Sequence, residues 1–145
     1  MRAWQVTAHG EPIDVMQIAE VPDPVPAPGE VLVRVSAVSA NFPDVLLARG
    51  EYQVKPEIPF SPGVELAGVV EALGEGVTNV AVGDRIVAFH IGVLGELAVV
   101  PANAVLPAPE ALSDAEASGL MIAYQTAYFA LHRRAQIQPG EWLLV

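Results

Sequence analysis

The segment with the clearest structural pattern is Pro59–Val87, PFSPGVELAGVVEALGEGVTNVAVGDRIV. Val64–Leu73 is apolar and rich in β-branched residues, which favours a long strand. Gly74-Glu75-Gly76 can take the positive φ angles of a tight turn, so Val77–Val82 is predicted to return as a second strand. A further glycine turn precedes a third strand at Arg85–Phe89. This order is typical of an antiparallel β-barrel or sandwich.

Shorter elements are predicted on both sides of this segment. The other strands are expected at Arg2–Thr7, Met16–Val21, Glu30–Val38, Glu96–Val100 and Ala104–Leu106. Glu30–Val38 has the most regular alternation of the set, with valines at every second position on one face. A short helical run is expected at Val45–Arg49, where the Asp44 carboxylate can accept backbone N–H groups of the first turn.

The pattern changes after residue 107 from strands to a helix. Ser113 and Glu116 have the spacing of a capping box, which predicts that a helix begins there. An apolar stripe follows at helical spacing, formed by Ala117, Leu120, Met121, Tyr124, Tyr128 and Leu131. After Pro139-Gly140, Glu141–Val145 has the composition of a buried strand. A helix, a turn and a buried strand are how a βαβ unit begins, so we expect these residues to be the front of a longer protein.

Composition limits the class of protein. The chain has 145 residues, 52% of them hydrophobic, which is typical of a globular domain. It contains no apolar run of the roughly 18 residues needed for a membrane span, and its N-terminus lacks the pattern of a signal peptide. The absence of cysteine excludes disulfides and thiolate metal sites. These features together predict a cytoplasmic protein.

The charge of the chain argues against polyanionic partners. The net charge is −10, and Lys55 is the only lysine. Nucleic acids and anionic membranes bind to clustered positive charge, and no such cluster occurs here, so neither is expected as a partner. An anionic cofactor stays open, because backbone N–H groups and a few arginines suffice to bind one.

Six short motifs, in order, carry a family resemblance. They are Pro28–Val33 (PGEVLV), Asn41–Asp44 (NFPD), Arg49–Tyr52 (RGEY), Pro62–Val70 (PGVELAGVV), Gly74–Val77 with Val82–Ile86 (GEGV and VGDRI), and Ala123–Ala127 (AYQTA). The chain resembles the N-terminal half of the medium-chain dehydrogenase/reductase superfamily, and within it the zinc-free quinone oxidoreductase branch.

The resemblance implies a fold and a division into domains. Residues 1–123 would form a mainly β catalytic domain, a GroES-like antiparallel β-barrel with short helices. Residues 124–145 would be a linking helix and the first strand of a Rossmann nucleotide-binding domain, truncated after that strand. The branch uses NADPH. Its usual homodimer forms largely through the cofactor domain.

The resemblance also bears on metal binding. The alcohol dehydrogenase branch has a cysteine where this chain has Asn41 and a histidine where it has Val64. That histidine belongs to a glycine-histidine-glutamate triplet, of whose metal-binding side chains only the glutamate, Glu65, is present here. Zinc needs thiolate, imidazole or carboxylate ligands close together. The histidines, His9, His90 and His132, share no local motif. We therefore expect no metal site.

Hydride transfer without a Lewis acid requires an acceptor that is already reactive. The resemblance thus implies an oxidoreductase that transfers hydride from NADPH to a quinone or an α,β-unsaturated carbonyl. This chain alone would be inactive, because most cofactor contacts would lie beyond it. Two alternatives are a non-enzymatic GroES-like binding module and an enoyl reductase domain of a synthase.

The candidate site residues come from matched family positions. Asn41 and Tyr52 would be catalytic and would contact the nicotinamide, and Thr126 would bind the cofactor. Each has a structural alternative: Asn41 as a turn residue, Tyr52 as a loop aromatic, and Thr126 as a hydroxyl bonded to its own helix. His90 is a further candidate for substrate contact. Phe42, Phe60 and Phe89 would line the cleft or fill the barrel, and Glu65 and Asp44 would be structural.

Overall fold

Short strands dominate the first two thirds of the chain in a computed structural model, which describes residues 1–144. The strands are β1 (Arg2–Val6), β2 (Met16–Glu20), β3 (Glu30–Val38), β4 (Glu65–Leu73), β5 (Arg85–Phe89), β6 (Leu97–Pro101) and β7 (Val105–Pro107). The α-helices are α1 (Pro12–Val15), α2 (Phe42–Arg49), α3 (Asp114–Ala117) and α4 (Gln125–Tyr128), and a 3₁₀ turn spans Ala102–Ala104.

The strands form two antiparallel sheets. β1 pairs with β2, and the larger sheet has the order β6-β3-β4-β5-β7. Isolated bridges from Ala3 to Gly95 and from Val6 to Phe60 join the small sheet to the loops around the larger one. The antiparallel, mainly β class predicted from the sequence is confirmed, and most strand bounds agree within a residue.

The core is divided into apolar clusters on either side of β4. The main cluster lies between β3, β4, β5 and β6, where alternate residues such as Val31 and Val33 are fully buried. A second cluster contains Val6, Leu47, Phe60 and Val64, and it packs α2 against the start of β4. Because side chains alternate across a strand, β4 places Leu66 and Val70 in the main cluster and Ala67 on its other face, in a third cluster with Val87 and Ala117.

The predicted return strand at Val77–Val82 is wrong. Residues 74–84 form a loop of turns, and β4 pairs directly with β5. Val77 and Val80 still pack against the main cluster, which explains their apolar character. The Gly83 N–H donates to the Val70 carbonyl and Val70 N–H donates to Asp84, so the end of this loop occupies the edge that a strand would need.

The helical region after Ser113 is less regular than predicted. The capping box is confirmed, since the Glu116 carboxylate accepts the Ser113 N–H at 2.9 Å. Wide π-type turns then span Leu120–Tyr124 and Phe129–Ala135, on either side of α4. The predicted apolar stripe is correct at its start, where Ala117 is fully buried, but Tyr124 and Tyr128 are 71% and 57% exposed. Both rings are therefore mostly open to solvent.

The strand predicted at Glu141–Val145 is not formed in the part of the chain described. Residues 141–144 are irregular, and Trp142 is fully exposed; Val145 lies outside the described residues. A strand needs a partner for its backbone groups, and none of the strands within residues 1–144 lies beside this segment. None of the helices in residues 1–144 combines the length and apolarity needed to cross a bilayer.

Candidate functional site

The site begins at the N-terminus of α2. The helix starts at Phe42, three residues earlier than predicted, with extended Asn41 as its N-cap. Asp44 is the third helical residue, and its Oδ2 accepts the Asn41 N–H at 2.7 Å. Its Oδ1 accepts the Gly63 N–H at 3.0 Å, which attaches the helix to the chain just before β4. Asp44 therefore takes part in capping α2, but not as predicted: it is the third residue of the helix, its carboxylate accepts the N–H of the N-cap Asn41 instead of N–H groups of the first turn, and it also ties two segments together.

The side chain of Asn41 is held by two acceptors. Its Nδ2 donates to the Ser39 carbonyl at 3.1 Å and to Glu65 Oε1 at 2.9 Å. These bonds use both N–H groups of the amide. Asn41 is thus fixed by the ends of β3 and β4, and in the capping box of α2 its side chain faces the backbone N–H of Asp44.

Glu65 is the only fully buried charged residue among those described. Its Oε1 accepts a hydrogen bond from the Asn41 amide, and its Oε2 accepts one from the Ile122 backbone N–H at 2.8 Å. Each carboxylate oxygen therefore has a partner, as a buried polar group requires. The structural role of Glu65 is to join the N-terminus of α2 to the wide turn at Leu120–Tyr124.

Burial perturbs the neighbouring carboxyl group. It raises the pKa of Asp44 above its usual value, the N–H donors of Asn41 and Gly63 lower it, and the charge of Glu65 raises it further. The net direction is upward because loss of solvent is the largest effect. Asp44 is therefore easier to protonate in the folded chain than in water.

A narrow cleft of about 230 Å³ opens beside these residues. Asn41, Asp44 and Gly63 line it with mostly apolar neighbours, which are Pro12, Met16, Val38, Ser39, Ala40, Val45 and Leu94. A mostly apolar cleft with a few fixed polar groups is the usual form of a small-molecule site.

Tyr52 and Thr126 occupy different surroundings from Asn41. Tyr52 is half-buried and packs its ring against the second cluster, which Ile122 also contacts. Thr126 lies exposed in α4, one turn after Ile122. Neither hydroxyl makes a hydrogen bond within residues 1–144. Ile122 is therefore the link between the three candidates, since it bonds to Glu65 and packs in the cluster of Tyr52.

The remaining sequence candidates lie away from the cleft. Burial lowers the pKa of the half-buried His90, and its ring does not line the cleft. Phe60 is buried in the second cluster, whereas Phe42 and Phe89 are 70% and 46% exposed. Of the three phenylalanines only Phe60 fills the interior.

Sequence reasoning missed the backbone partners of the site. The Ser39 carbonyl and the Ile122 N–H orient Asn41 and Glu65, but backbone groups leave no mark in a residue pattern. Gly63 did carry a signal, because it belongs to the motif at Pro62–Val70. A Cβ there would lie 2.8 Å from the Leu94 nitrogen, so a larger residue would close this side of the cleft.

The residues present do not fit a zinc ion. Asn41 offers only a neutral amide oxygen, Val64 is a buried alkyl group, and both oxygens of Glu65 already accept hydrogen bonds. Zinc in proteins takes thiolate, imidazole or carboxylate ligands, and such groups do not gather in threes anywhere in residues 1–144.

The chain is similar to known proteins in both sequence and structure. Mouse quinone oxidoreductase-like protein 2 is 39% identical over 147 residues, covering 99% of this chain and 41% of the relative. The crystal structure of a probable oxidoreductase from Mycobacterium abscessus superposes with a TM-score of 0.89 and 42% identity, over 97% of this chain and 45% of that one. Quinone oxidoreductase from Thermus thermophilus, also solved with NADPH, superposes with a TM-score of 0.78 and 39% identity, over 97% of this chain and 43% of that one.

The matches agree on one domain. This chain spans about two fifths of the length of the curated relative, and the shared part is the N-terminal, mainly β portion. The family model for the alcohol dehydrogenase GroES-like domain matches residues 27–110, which contain the Asn41, Asp44 and Glu65 network. The chain therefore belongs to the alcohol dehydrogenase GroES-like domain family, and its relatives are quinone oxidoreductase-like members of the medium-chain dehydrogenase/reductase superfamily.

Proposed function

We propose that this chain is the substrate-side domain of an NADPH-dependent oxidoreductase that reduces quinones or α,β-unsaturated carbonyl compounds without zinc. The observation that carries the proposal is the Asn41 amide, which is fixed by Ser39 and Glu65 at the edge of a mostly apolar cleft. The quinone oxidoreductases among the relatives, one of them solved with NADPH, support the same reaction class.

The polar groups of the site fit the nicotinamide end of a dinucleotide. That end carries a carboxamide and ribose hydroxyls, which can bond to Asn41 Oδ1 and to the hydroxyls of Tyr52 and Thr126. When bound, the reduced nicotinamide supplies a hydride. The protein's part is to hold an acceptor and exclude water, and the apolar walls at Met16, Val45 and Leu94 suit both tasks.

Zinc independence follows, in this proposal, from the donor set. A neutral amide, an alkyl side chain and a fully hydrogen-bonded carboxylate stand where the zinc-dependent branch has metal ligands. The acceptor must then be electrophilic without Lewis-acid assistance, as quinones and enones are. Cytoplasmic location and a homodimer of the full-length protein remain predictions from sequence and family.

The test is an assay of the full-length protein with NADPH and a panel of quinones, enones and simple alcohols. We expect turnover with the first two groups, none with alcohols, and no loss of rate after treatment with a strong chelator. Alcohol oxidation that disappears with the chelator and returns with zinc would contradict the proposal. Absence of NADPH binding together with absence of turnover would favour the alternative of a binding module.

A further inference from the structure

The hydrogen bonds around Asn41 determine which atom of its amide faces the cleft. One N–H donates to the Ser39 carbonyl and the other to Glu65 Oε1. A carbonyl and a carboxylate both accept hydrogen bonds, so the reverse amide orientation would place Oδ1 against two oxygens. The orientation of the amide is therefore set by these two acceptors, and Oδ1 lies on the side of the amide away from them.

This oxygen has one neighbour inside the protein. In the capping box of α2 the Asn41 side chain faces the backbone N–H of Asp44, and a single donor leaves a second lone pair on the amide oxygen. Asn41 is only partly buried and lines the cleft, so the second lone pair is the one that a bound ligand can use.

We propose that Glu65 is a positioning residue that holds the Asn41 amide with its oxygen toward the cleft, so that the site binds a ligand through the ligand's own N–H or O–H group. The ligand assignment rests on the proposed function: a quinone carbonyl has no hydrogen to offer Asn41, whereas a nicotinamide carboxamide or a ribose hydroxyl has one. The same carboxylate bonds to Ile122 N–H, so it also sets where the turn before Thr126 lies.

Glu65→Gln should reverse the orientation of the Asn41 amide. A glutamine has one acceptor oxygen for two donors, Ile122 N–H and Asn41 Nδ2. The backbone N–H cannot turn away, so the new oxygen stays with Ile122 and the new NH₂ group faces Asn41. The Asn41 amide must then rotate to accept from it, which turns NH₂ toward the cleft and removes the bond to Ser39. Glu75→Gln is the matched control, because Glu75 is exposed and its side chain has no bond within residues 1–144.

The first measurement reads the amide directly, whether or not cofactor binds. In the full-length protein labelled with ¹⁵N-asparagine, this chain contributes Asn41, Asn79 and Asn103. Substituting one asparagine at a time removes one side-chain signal and so assigns it. We expect the Asn41 side-chain protons to exchange with solvent at least tenfold more slowly than those of exposed Asn103. Equal exchange rates in the wild type would overturn the proposal, even if Glu65→Gln fails to fold.

The second measurement uses the variants. In Glu65→Gln we expect the Asn41 protons to exchange at least tenfold faster and the KM for NADPH to rise about tenfold, with a smaller change in kcat; Glu75→Gln should change neither. An unchanged Asn41 signal in folded Glu65→Gln would overturn the positioning role. A changed signal with no NADPH binding, even in the wild type, would refute the proposed function and leave the positioning role supported.

Discussion

At the scale of single residues, Tyr52 allows packing and ligand contact to be separated. Its ring packs in the second cluster, while its hydroxyl makes no hydrogen bond within residues 1–144. Tyr52→Phe should therefore change the free energy of unfolding by less than about 0.5 kcal/mol. It should raise the KM for NADPH or for the acceptor about three- to tenfold, the value of one neutral hydrogen bond. Steady-state kinetics and urea unfolding of the same variant measure both.

Tyr128→Phe is the control for that change, because Tyr128 is exposed on α4. It should alter neither quantity. If Tyr52→Phe destabilised the fold and left both KM values unchanged, Tyr52 would be a loop aromatic with no ligand role.

Asp44 makes the free energy of unfolding of the chain depend on pH in a predictable direction. Burial raises its pKa, so the folded chain binds this proton more tightly than the unfolded chain. Between the ordinary pKa and the raised pKa the folded state carries more protons, and the free energy of unfolding must decrease as pH rises through that window. Above the window Asp44 adds no further change.

Asp44→Asn isolates this contribution. Asparagine has one acceptor oxygen for the two N–H groups of Asn41 and Gly63, so one buried donor loses its partner at a cost of about 1–3 kcal/mol. The stability advantage of wild type over variant, measured by urea unfolding at several pH values, should shrink from acid toward neutral pH. An advantage that grows with pH would mean that the hydrogen bonds outweigh burial.

Residue types at the site could be predicted, but their partners could not. Asn41, Asp44 and Glu65 stand in sequence motifs, whereas the network that joins them runs through the backbone of Ser39, Gly63 and Ile122. Asn41 and Ile122 are far apart in sequence and meet only because Glu65 lies buried between them.

At the scale of elements, the turn after β4 depends on close packing at one glycine and on backbone angle at another. A Cβ on Gly74 would collide with the Ala27 carbonyl oxygen, while Gly76 has open space around it and a φ of +81°. Gly74→Ala should cost about 2–4 kcal/mol because the backbone must move, and Gly76→Ala about 1–2 kcal/mol from strain alone. Equal costs in urea unfolding would contradict this distinction.

Arg85 attaches the segment before α3 to β5. Its guanidinium donates to Asp114 Oδ1 at 2.7 Å and to the carbonyls of Pro109 and Leu112 at 3.0 and 2.7 Å. A lysine ammonium cannot reproduce this planar arrangement, so Arg85→Lys should destabilise the fold by about 1–3 kcal/mol.

Arg34→Lys is the matched control in the same sheet. Arg34 makes one exposed ion pair, with Glu71, and such pairs contribute little. We expect a change below about 0.5 kcal/mol in thermal or urea unfolding. A larger loss at Arg34 than at Arg85 would contradict the assigned role.

Element prediction succeeded where the pattern was local. Glu30–Val38 has apolar residues at every second position on one face and forms β3 with the same bounds. Val77–Val82 also contains three valines, but Val77 and Val80 reach the core from a loop, and β-branched composition alone does not distinguish a loop from a strand. α2 begins at Phe42, before the predicted start at Val45, because Pro43 lies in its first turn, a position where proline suits a helix.

At the scale of the whole molecule, the order of motifs was more informative than composition. Acidic charge and missing cysteine only narrowed the class, whereas six motifs in sequence indicated the family that the comparisons confirm. Tyr124 and Tyr128 of the predicted apolar stripe and Trp142 of the predicted buried strand are exposed. Their apolar character predicted burial, but a sequence does not specify which surface provides it.

The central claim is that this domain holds the acceptor for a hydride donated by NADPH, and isotope transfer tests it most directly. The full-length protein would be incubated with [4-²H]NADPH, using each C4 stereoisomer in turn, and an α,β-unsaturated ketone, and the product analysed by mass spectrometry and NMR. One isomer should give a saturated ketone with a single deuterium at the β-carbon, while the proton at the α-carbon comes from water. A reduced product without deuterium from either isomer, or no reduction of enones and quinones at all, would contradict the account.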